Sequence, residues 1–370
     1  MPKIICTVTT DLTYDQRMIR ICTSLVEMGY EVLLVGRERP SSIDLDQKKY
    51  QQHRIKCWNS KGKLFYLEYN LRLFWFLLFA KFDAICSVDL DTILPGFYVA
   101  RWRKKTCIYD AHEYFSELPE VTNRPKVQRI WKRIEALTIP RLKYCYTVGQ
   151  GIAEIFEKQY GTSFEVIRNV PFGKNNSNII AEELSKSEEK IILYQGALND
   201  GRGLETVILA MEEIDNAKLW LAGEGDLSEE LRNLAKEIKV THKVRFLGYI
   251  KPKDLTQLTE KAYIGLNLLE NKGLNYYYSL ANKTFDYIQA NVPAIHMNFP
   301  EYTTINAAYK VAILIDDLQV ETVVDALKEL LENEKLYQEL QANCEKASPI
   351  FVWEKESEKL KSFYAKAVPL

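Results

Sequence analysis

Short apolar runs alternate with longer amphipathic segments along the whole chain. The apolar runs lie at residues 3–8, 31–36, 84–88, 106–110, 144–148 and 165–169, and again at 191–194, 217–222, 244–247, 264–268, 294–296 and 311–315. The segments between these runs, such as 16–28, have apolar residues at helical spacing. Strands that are apolar throughout and separated by helices indicate parallel sheets covered on both faces. We therefore predict an α/β fold.

A polar stretch at 172–190 separates the two series of apolar runs and is the best candidate for a linker. A chain of 370 residues is long for a single core. We predict a first domain over 1–172 and a second over 173–349, each a Rossmann-like parallel sheet. Ligands of such sheets bind outside the carboxyl ends of the strands, so we expect a central cleft between facing domains.

The net charge of −1 hides an asymmetry between the two halves. Residues 1–174 carry a net charge of +8 and residues 175–370 carry −9. We expect no nucleic-acid partner, because the longest basic cluster, 101–105, is short and no nucleic-acid-binding motif accompanies it. The seven cysteines are scattered with no C-x-x-C spacing, which predicts free thiols in a reducing cytoplasm. The first strand begins at once, so we expect no signal peptide.

The longest apolar stretch, 73–80, is far shorter than the roughly 20 residues that span a bilayer. The favoured interpretation is a helix buried against a sheet. The alternative is a membrane-facing patch, because aromatic residues lie next to Arg72 and Lys81 on the basic half.

Lys283 and Asp286 lie three residues apart at the start of an expected helix, before the breakers Asn291 and Pro293. Residues three apart share a helix face. Free N–H groups at a helix start and a nearby lysine suit a phosphate, and a carboxylate one turn later suits a sugar hydroxyl. The pair therefore indicates a sugar nucleotide; the alternative is an amphipathic helix with a surface ion pair.

Two glycine-rich turns follow apolar strands in the second half. The turn from Gly196 to Gly203 precedes an expected helix over 204–214, and Arg202 near its start suits a diphosphate. It is neither a Walker A loop nor G-x-G-x-x-G. The turn with Gly223 and Glu224 either lies beside the ligand or is a helix start capped by Asp226 or Ser228.

In the first half, His112 follows an apolar strand and lies between carboxylates, at the edge where an active site is expected. A structural role is the alternative. Asp89 and Asp91 have the spacing of a metal-binding D-x-D, but we interpret them as caps of a helix over 92–100. Asp11, Asp15 and Arg17 in the first strand-to-helix loop suit an acceptor pocket, and capping is the alternative.

These pieces, in this order, resemble the family 4 retaining glycosyltransferases, which have the two-domain GT-B fold. The resemblance covers nearly the whole chain. It rests on the loop 11–20, on Tyr109-Asp110-Ala111-His112-Glu113, on 194–205, 223–225 and 246–249, and on Asn282-Lys283-Thr284-Phe285-Asp286-Tyr287. The last stretch resembles the Asn-Lys-x-Phe-Glu-Tyr signature of one branch. The ending from Trp353 resembles the C-terminal helix that crosses back, so we expect 350–370 to pack onto the first domain.

The resemblance implies roles for the candidate residues. Arg202 and Lys283 would hold the donor diphosphate and stabilise the leaving group. Asp286 would bind the ribose, and backbone groups near Tyr249 and Ile250 would meet the base. Gly196, Gly223, Glu224 and Asn282 would complete the donor site. His112, from the first domain, would contact the transferred sugar or the phosphate side of the reacting centre.

The resemblance further implies a retaining hexosyl or N-acetylhexosaminyl transferase with no metal or other cofactor, and a UDP-sugar donor rather than a GDP-sugar. The acceptor would be a polysaccharide or a lipid-linked oligosaccharide, with peripheral contact of the basic first domain at the inner membrane face. Tyr278 and Ala197 depart from the family pattern, at positions where relatives have Glu and Arg. The alternatives are a sugar-nucleotide epimerase and a non-catalytic nucleotide-sugar-binding partner protein.

Overall fold

A computed structural model describes residues 1–173 and 189–370, so residues 174–188 of the predicted linker lie outside the described residues. The described chain divides into two compact units. Unit 1 consists of Met1–Asn169, Gly273–Asn275 and Lys355–Leu370. Unit 2 consists of Val170–Lys272 and Tyr276–Glu354.

Unit 1 is built on a seven-stranded parallel sheet with the strand order β3-β2-β1-β4-β5-β6-β7. Its elements, in chain order, are β1 (Lys3–Thr7), α1 (Gln16–Glu27), β2 (Glu31–Arg37), β3 (Gln51–Ile55), α2 (Gly62–Phe79), β4 (Ala84–Val88), α3 (Ile93–Trp102), β5 (Thr106–Ala111), α4 (Pro119–Thr122), α5 (Pro125–Thr138), β6 (Tyr144–Thr147), α6 (Gln150–Tyr160) and β7 (Glu165–Val166). Short 3-10 helices lie at Leu90–Thr92, Phe115–Glu117 and Ile139–Arg141.

Unit 2 is built on a six-stranded parallel sheet with the strand order β10-β9-β8-β11-β12-β13. Its elements are β8 (Lys190–Gln195), α7 (Leu204–Ala210), β9 (Ala217–Ala222), α8 (Ser228–Glu237), β10 (Val244–Gly248), α9 (Pro252–Thr259), β11 (Ile264–Asn267), α11 (Asn282–Ala290), β12 (Ala294–Met297), α12 (Pro300–Tyr309), β13 (Ala312–Ile315), α13 (Val320–Glu332) and α14 (Glu334–Ala347). The short helix α10 (Leu274–Tyr277) is divided, because its first two residues belong to unit 1 and its last two to unit 2. The last helix, α15 (Trp353–Ala367), follows, and its residues from Lys355 onward belong to unit 1.

The predicted fold class is confirmed, because both sheets are parallel and, except between β2 and β3, helices separate the consecutive strands of each sheet. The strands are apolar because helices cover both faces of each sheet. In unit 1, one core cluster joins Ile5 and Ile85 of the sheet to Phe65, Leu73 and Leu77 of α2.

The last helix packs on unit 1 through tyrosine side chains. The Tyr30 hydroxyl donates to the carbonyl oxygens of Val368 (2.7 Å) and Tyr364 (3.3 Å). The hydroxyl groups of Tyr146 and Tyr364 lie 3.4 Å apart. These buried polar contacts fix the end of the chain against β2 and β6.

Helix α11 is fixed to its sheet by a close approach at Gly265. A Cβ at this glycine would lie 2.5 Å from the ring of Tyr287, so only glycine leaves room for that ring on strand β11. The Tyr287 hydroxyl donates to the carbonyl oxygens of Leu193 (3.0 Å) and Leu266 (3.2 Å). The start of α11 is therefore placed at the carboxyl ends of β8 and β11.

Two predicted elements are shorter in the structure. The helix expected over 204–214 ends at Ala210, because Glu212 and Glu213 donate to carbonyl groups only three residues back and tighten the turn. The strand expected over 165–169 covers only Glu165–Val166, since it is an edge strand that pairs with β6 alone.

Helix α2 corrects the interpretation of 73–80 as a buried segment. Leu73 and Leu77 are buried as expected. Trp75 and Phe79, on the opposite face, are 57% and 80% exposed.

All seven cysteines are free, five of them buried.

Candidate functional site

Lys283 lies buried in the first turn of α11, with its ammonium group over the ring of Tyr194 at 3.7 Å from the centroid. Only 9% of the residue is exposed. Within residues 1–173 and 189–370, no carboxylate lies within ion-pair distance of this nitrogen. A buried lysine normally has a counterion, and this one has none among the described residues.

The pKa of Lys283 is shifted by its surroundings. Burial and then the positive charge of Arg202 lower the pKa of Lys283 well below its usual value, and the charge of Asp286 opposes this shift only in part. Two cationic side chains therefore converge here with less negative charge than they need. A bound anion would offset the electrostatic repulsion between the two cations.

Arg202 reaches this place from the turn before α7, with its guanidinium over the ring of Tyr276 at 4.9 Å. Its Nε is buried and has no hydrogen-bond partner among the described residues. An unsatisfied buried donor of a planar guanidinium suits a phosphate oxygen.

Asp286, one turn after Lys283, is held by a chain of hydrogen bonds. Its Oδ2 accepts from the Gln195 amide (2.8 Å), and the amide oxygen of Gln195 accepts from the Thr259 hydroxyl (2.7 Å). The carboxylate is half-buried. This arrangement fixes its orientation and suits recognition of a hydroxyl group.

Two glycine turns lie directly against each other beside Lys283. Gly196 has a φ of +138°, and a Cβ there would lie 3.3 Å from the Lys283 nitrogen. Gly223 has a φ of +153°, and a Cβ there would lie 1.9 Å from the carbonyl oxygen of Gly196. The absence of side chains lets the two backbones approach and leaves room next to the ammonium group.

We expect Gly223→Ala to destabilise the protein by about 2–3 kcal/mol, because the methyl group has no room and the backbone region is strained. Chemical denaturation measures this loss. Gly161→Ala is the matched control: its φ is also positive (+68°), but the space around it is open. Equal losses for the two variants would contradict the role of close packing at Gly223.

The remaining candidates of this group lie around the turns. Asn282 and Tyr249 are exposed, and Ile250 is half-buried. Glu224 pairs with Arg232, with 2.7 Å between Oε1 and Nη2. That contact places the Glu224 side chain in a surface ion pair.

The capping interpretation of Asp226 and Ser228 is wrong. Helix α8 begins after Leu227, and no side chain caps it. The Ser228 hydroxyl instead accepts from the N–H of Gly225 (2.8 Å), and the N–H of Asp226 donates to Asn199 (3.1 Å). Both contacts stabilise the glycine turn itself.

In unit 1, His112 belongs to a buried network at the carboxyl end of β5. Asp110 accepts from Arg17 (2.8 Å) through one oxygen and contacts the His112 Nε2 (2.9 Å) through the other. Burial disfavours the charged carboxylate, but Arg17 and His112 outweigh it and lower the pKa of Asp110 to about 2. Burial likewise opposes a charged His112, but Asp110 outweighs it and raises the pKa of His112.

The interpretation of Asp89 and Asp91 as helix caps is wrong. The 3-10 helix and α3 have no side-chain cap. Asp89 accepts from the N–H of His112 (2.9 Å), and Asp91 accepts from the Thr9 hydroxyl (2.7 Å). Burial raises the pKa of Asp89 to about 7 and of Asp91 to about 6. Both carboxylates therefore support the His112 loop and the first loop rather than a helix end.

The three candidate residues of the first loop have different structural roles. Asp15 caps α1, since its Oδ1 accepts from the N–H of Met18 (3.1 Å). Asp11 accepts from the N–H of Thr13 (3.2 Å) and the Ser42 hydroxyl (3.1 Å), so it shapes the loop. Arg17 is 4% exposed and holds Asp110. The capping alternative is thus confirmed for Asp15.

Sequence reasoning missed two polar residues at the strand ends near Lys283. His296 stacks on Tyr302 with 5.0 Å between centroids, and its buried Nδ1 has no partner among the described residues. Burial and the charge of Lys283 lower the pKa of His296 to about 3. The Oδ1 of Asn267 is likewise buried and unpaired within the described part of the chain. The signal in the sequence that could have identified both residues is a polar side chain inside an otherwise apolar strand.

Two family models match adjacent parts of the chain. Residues 16–173 match Glycosyltransferase Family 4, and residues 175–347 match Glycosyl transferases group 1. The chain is built from two glycosyltransferase domains. The His112 network lies in the first domain, and Lys283, Arg202 and Asp286 lie in the second.

Curated relatives match shorter stretches of the two-domain chain. An uncharacterised glycosyltransferase of Methanocaldococcus jannaschii is 40% identical over 80 residues, which are 21% of this chain and 20% of the relative. The alpha-monoglucosyldiacylglycerol synthase of Streptococcus pneumoniae is 31% identical over 103 residues, 26% of this chain and 23% of the relative. The chain thus spans less than a third of the length of these two relatives.

Solved glycosyltransferase structures match over nearly the whole chain. Sucrose-phosphate synthase of Thermosynechococcus elongatus has a TM-score of 0.81 at 14% identity and covers 99% of both chains. Anabaena HepE in complex with UDP and glucose has a TM-score of 0.77 at 13% identity, covering 99% of this chain and 100% of its own. At these identities the likeness shows the GT-B fold alone. No helix among the described residues is long and apolar enough to cross a membrane.

Proposed function

We propose that the chain transfers a sugar from a nucleotide diphosphate to a glycan or lipid-linked acceptor. One observation carries the proposal: two cationic side chains, Lys283 and Arg202, converge in a buried place with no carboxylate within ion-pair distance of the lysine in the described part of the chain. This is the charge distribution that a diphosphate completes.

The second domain offers further groups of the kind that a nucleotide sugar needs. Asp286, oriented by Gln195, would accept hydrogen bonds from the ribose hydroxyls. The loop with Tyr249 and Ile250 would meet the base. UDP is the favoured nucleotide; HepE, which shares the fold, was solved with UDP. His296 and Asn267, with unsatisfied polar atoms, would contact the diphosphate or the sugar.

The proposed reaction retains the anomeric configuration. Negative charge develops on the leaving diphosphate, and Lys283 and Arg202 would stabilise it where it forms. The donor phosphate would then take the proton of the acceptor hydroxyl, so the reaction requires no pair of catalytic carboxylates and no metal. His112, oriented by Asp110, would contact the transferred hexosyl or N-acetylhexosaminyl group.

Surface polysaccharide or glycolipid assembly in the cytoplasm is the proposed setting. The name of the pneumococcal relative describes a glycolipid synthase, which supports a lipid-linked acceptor. The first domain, with the loop from Asp11 to Arg17, would hold that acceptor.

Arg202→Ala is expected to weaken UDP binding about 10- to 100-fold, because a desolvated charge-assisted contact to the diphosphate is lost. Isothermal titration calorimetry with UDP and GDP measures this and ranks the bases. Arg245→Ala is the matched control, since Arg245 also lies over an aromatic ring, that of Trp220, at 5.5 Å. Unchanged binding by Arg202→Ala would refute the assigned site.

Incubation with UDP-sugars separates the candidate functions. Sugar transfer or slow donor hydrolysis, with the released anomer read by nuclear magnetic resonance, supports a retaining glycosyltransferase. Formation of an epimer would instead identify a sugar-nucleotide epimerase. Binding of the nucleotide sugar without transfer, hydrolysis or epimer formation would leave the non-catalytic nucleotide-sugar-binding partner protein.

A further inference from the structure

Helix α2 presents an apolar row to solvent along its whole length. Its 18 residues form a helix about 27 Å long. Every fourth residue from Phe65 to Leu77 is buried against the sheet. The opposite row consists of five apolar residues, each more than half exposed: Leu64, Leu67, Leu71, Trp75 and Phe79. We call these five the outer row.

A helix that is apolar on all sides is normally covered on all sides. The outer row is not covered by any described residue, so its apolar surface is open to a partner. The neighbouring helix extends it, because Arg103 at the end of α3 donates to the carbonyl oxygens of Ala80 and Leu77 at the end of α2. Trp102, the last residue of α3, is also exposed.

Basic residues border the outer row. Residues 56–82 contain five Lys or Arg and a single acidic residue, Glu68. Glu68 is already engaged, because it accepts from the N–H groups of Trp58 (2.8 Å) and Asn59 (2.9 Å) and pairs with Arg72 (2.9 Å). These donors lower its pKa to about 2, so it stays ionised and held.

A second basic helix lies beside the first half of α2. The ring of Trp131 in α5 packs edge-on against Tyr66 of α2, with 5.7 Å between centroids. Helix α5 exposes Arg129 and Arg133 together with Ile130. The apolar and basic groups are thus mixed over two neighbouring helices.

We propose that the outer row of α2 lies on the surface of an anionic lipid bilayer. Tryptophan, phenylalanine and leucine side chains would enter the headgroup–acyl boundary, and Lys61, Lys63 and Lys81 would contact acidic headgroups. The charge decides between a bilayer and a second copy of the chain: a symmetric dimer would place the basic border against itself. This inference stands independently of the proposed reaction.

The test is cosedimentation of the full chain with vesicles of phosphatidylcholine alone or mixed with phosphatidylglycerol. We expect binding to the mixed vesicles that weakens with added salt. Trp75→Ser/Phe79→Ser should lower the partition coefficient about tenfold or more, since two large apolar groups no longer enter the boundary. Lys63→Glu/Lys81→Glu should lower it about 25-fold or more, from the loss of two basic contacts.

Matched controls distinguish vesicle binding by the outer row from non-specific hydrophobic or electrostatic binding elsewhere on the protein. Ile43→Ser removes an exposed apolar residue elsewhere in unit 1, and Lys335→Glu/Lys346→Glu changes the same charge on α14. Both should bind as the unchanged protein does. Thermal unfolding should be the same for all variants, because the altered side chains are exposed.

Two outcomes would overturn the proposal. One is equal sedimentation with and without the anionic lipid. The other is a stable dimer in solution that Trp75→Ser/Phe79→Ser dissociates, which would assign the outer row to a second copy. UDP binding, measured in parallel, reports on the donor site alone, so failure of the membrane proposal and failure of the proposed function are distinguishable.

Discussion

Lys283→Met is expected to abolish tight UDP binding and, at the same time, to make the unliganded protein more stable. The lysine is buried with no ion-pair partner among the described residues, and methionine fills similar space without a charge. We expect affinity for UDP to fall about 100-fold or more. We expect the free energy of unfolding to rise by about 1–3 kcal/mol.

The opposite signs follow from one cause. In the free protein the ammonium group loses its hydration, and the ring of Tyr194 at 3.7 Å returns only part of that loss. In the proposed complex the diphosphate would return the rest. The same burial that lowers stability would therefore strengthen the contact with the proposed ligand.

The pH dependence of stability also reports the destabilising effect of the buried Lys283 charge. The pKa of Lys283 is lower in the folded state than in the unfolded state, so the unfolded chain binds more protons between the two values. Its destabilising contribution is fully present below the folded pKa and decreases as pH rises toward the unfolded pKa. Lys283→Met should remove that contribution from the pH profile.

Thermal unfolding and titration calorimetry measure the two effects. Lys335→Met is the matched control, since Lys335 is exposed on α14 in the same unit. It should change neither quantity. A Lys283→Met protein that binds UDP normally, or that is less stable than the unchanged protein, would contradict the assigned role.

Asp110→Asn is expected to destabilise unit 1 by about 3–5 kcal/mol, because it leaves a buried guanidinium without a counterion. Arg17 is 4% exposed and its partner Asp110 is fully buried. Urea denaturation measures the loss. Asp83→Asn is the control, because Asp83 pairs with Lys105 on the surface, where such pairs contribute about 0–1 kcal/mol.

The variant also tests how His112 is held. Without the Asp110 charge, the pKa of His112 should fall, which the pH titration of its ring protons measures. Arg17→Met/Asp110→Leu should recover much of the stability but not the pKa of His112. If Asp110→Asn left both stability and the His112 titration unchanged, the buried network would have no such role.

Acid conditions give a third measurement. The pKa of Asp110 is about 2 in the folded state, below its unfolded value. Its contribution to stability is therefore complete above the unfolded pKa and is lost as pH falls toward 2. This loss should be missing from Asp110→Asn.

The sequence was sufficient for the sheet architecture, because covered parallel strands are apolar throughout. Strand β3 (Gln51–Ile55) escaped this reasoning. It is an edge strand with a polar sequence, and only Ile55 is buried. The exposed outer row of α2 stood only as the alternative to a buried helix, since an apolar residue in a helix has the same letter whether it faces a sheet or solvent.

The positions of Lys283 and Arg202 followed from local spacing and from a resemblance, and the structure brings their charges together. Long-range partners were beyond such reasoning. Asp89 and Asp91 looked like helix caps, but their oxygens accept from His112 and Thr9, which are distant in sequence. Glu135 was missed entirely: it is buried, accepts from the Ser116 hydroxyl (2.9 Å), and burial raises its pKa to about 7.

The burial of Lys283 without an ion-pair partner among the described residues has a consequence for the lifetime of the protein in a cell. A ligand that binds only the folded state lowers the fraction of unfolded chains available to proteases. Since we expect the second domain to be least stable when Lys283 has no anion, the abundance of the protein should follow the supply of the proposed donor. Cells depleted of nucleotide sugar should degrade the unchanged protein faster than Lys283→Met.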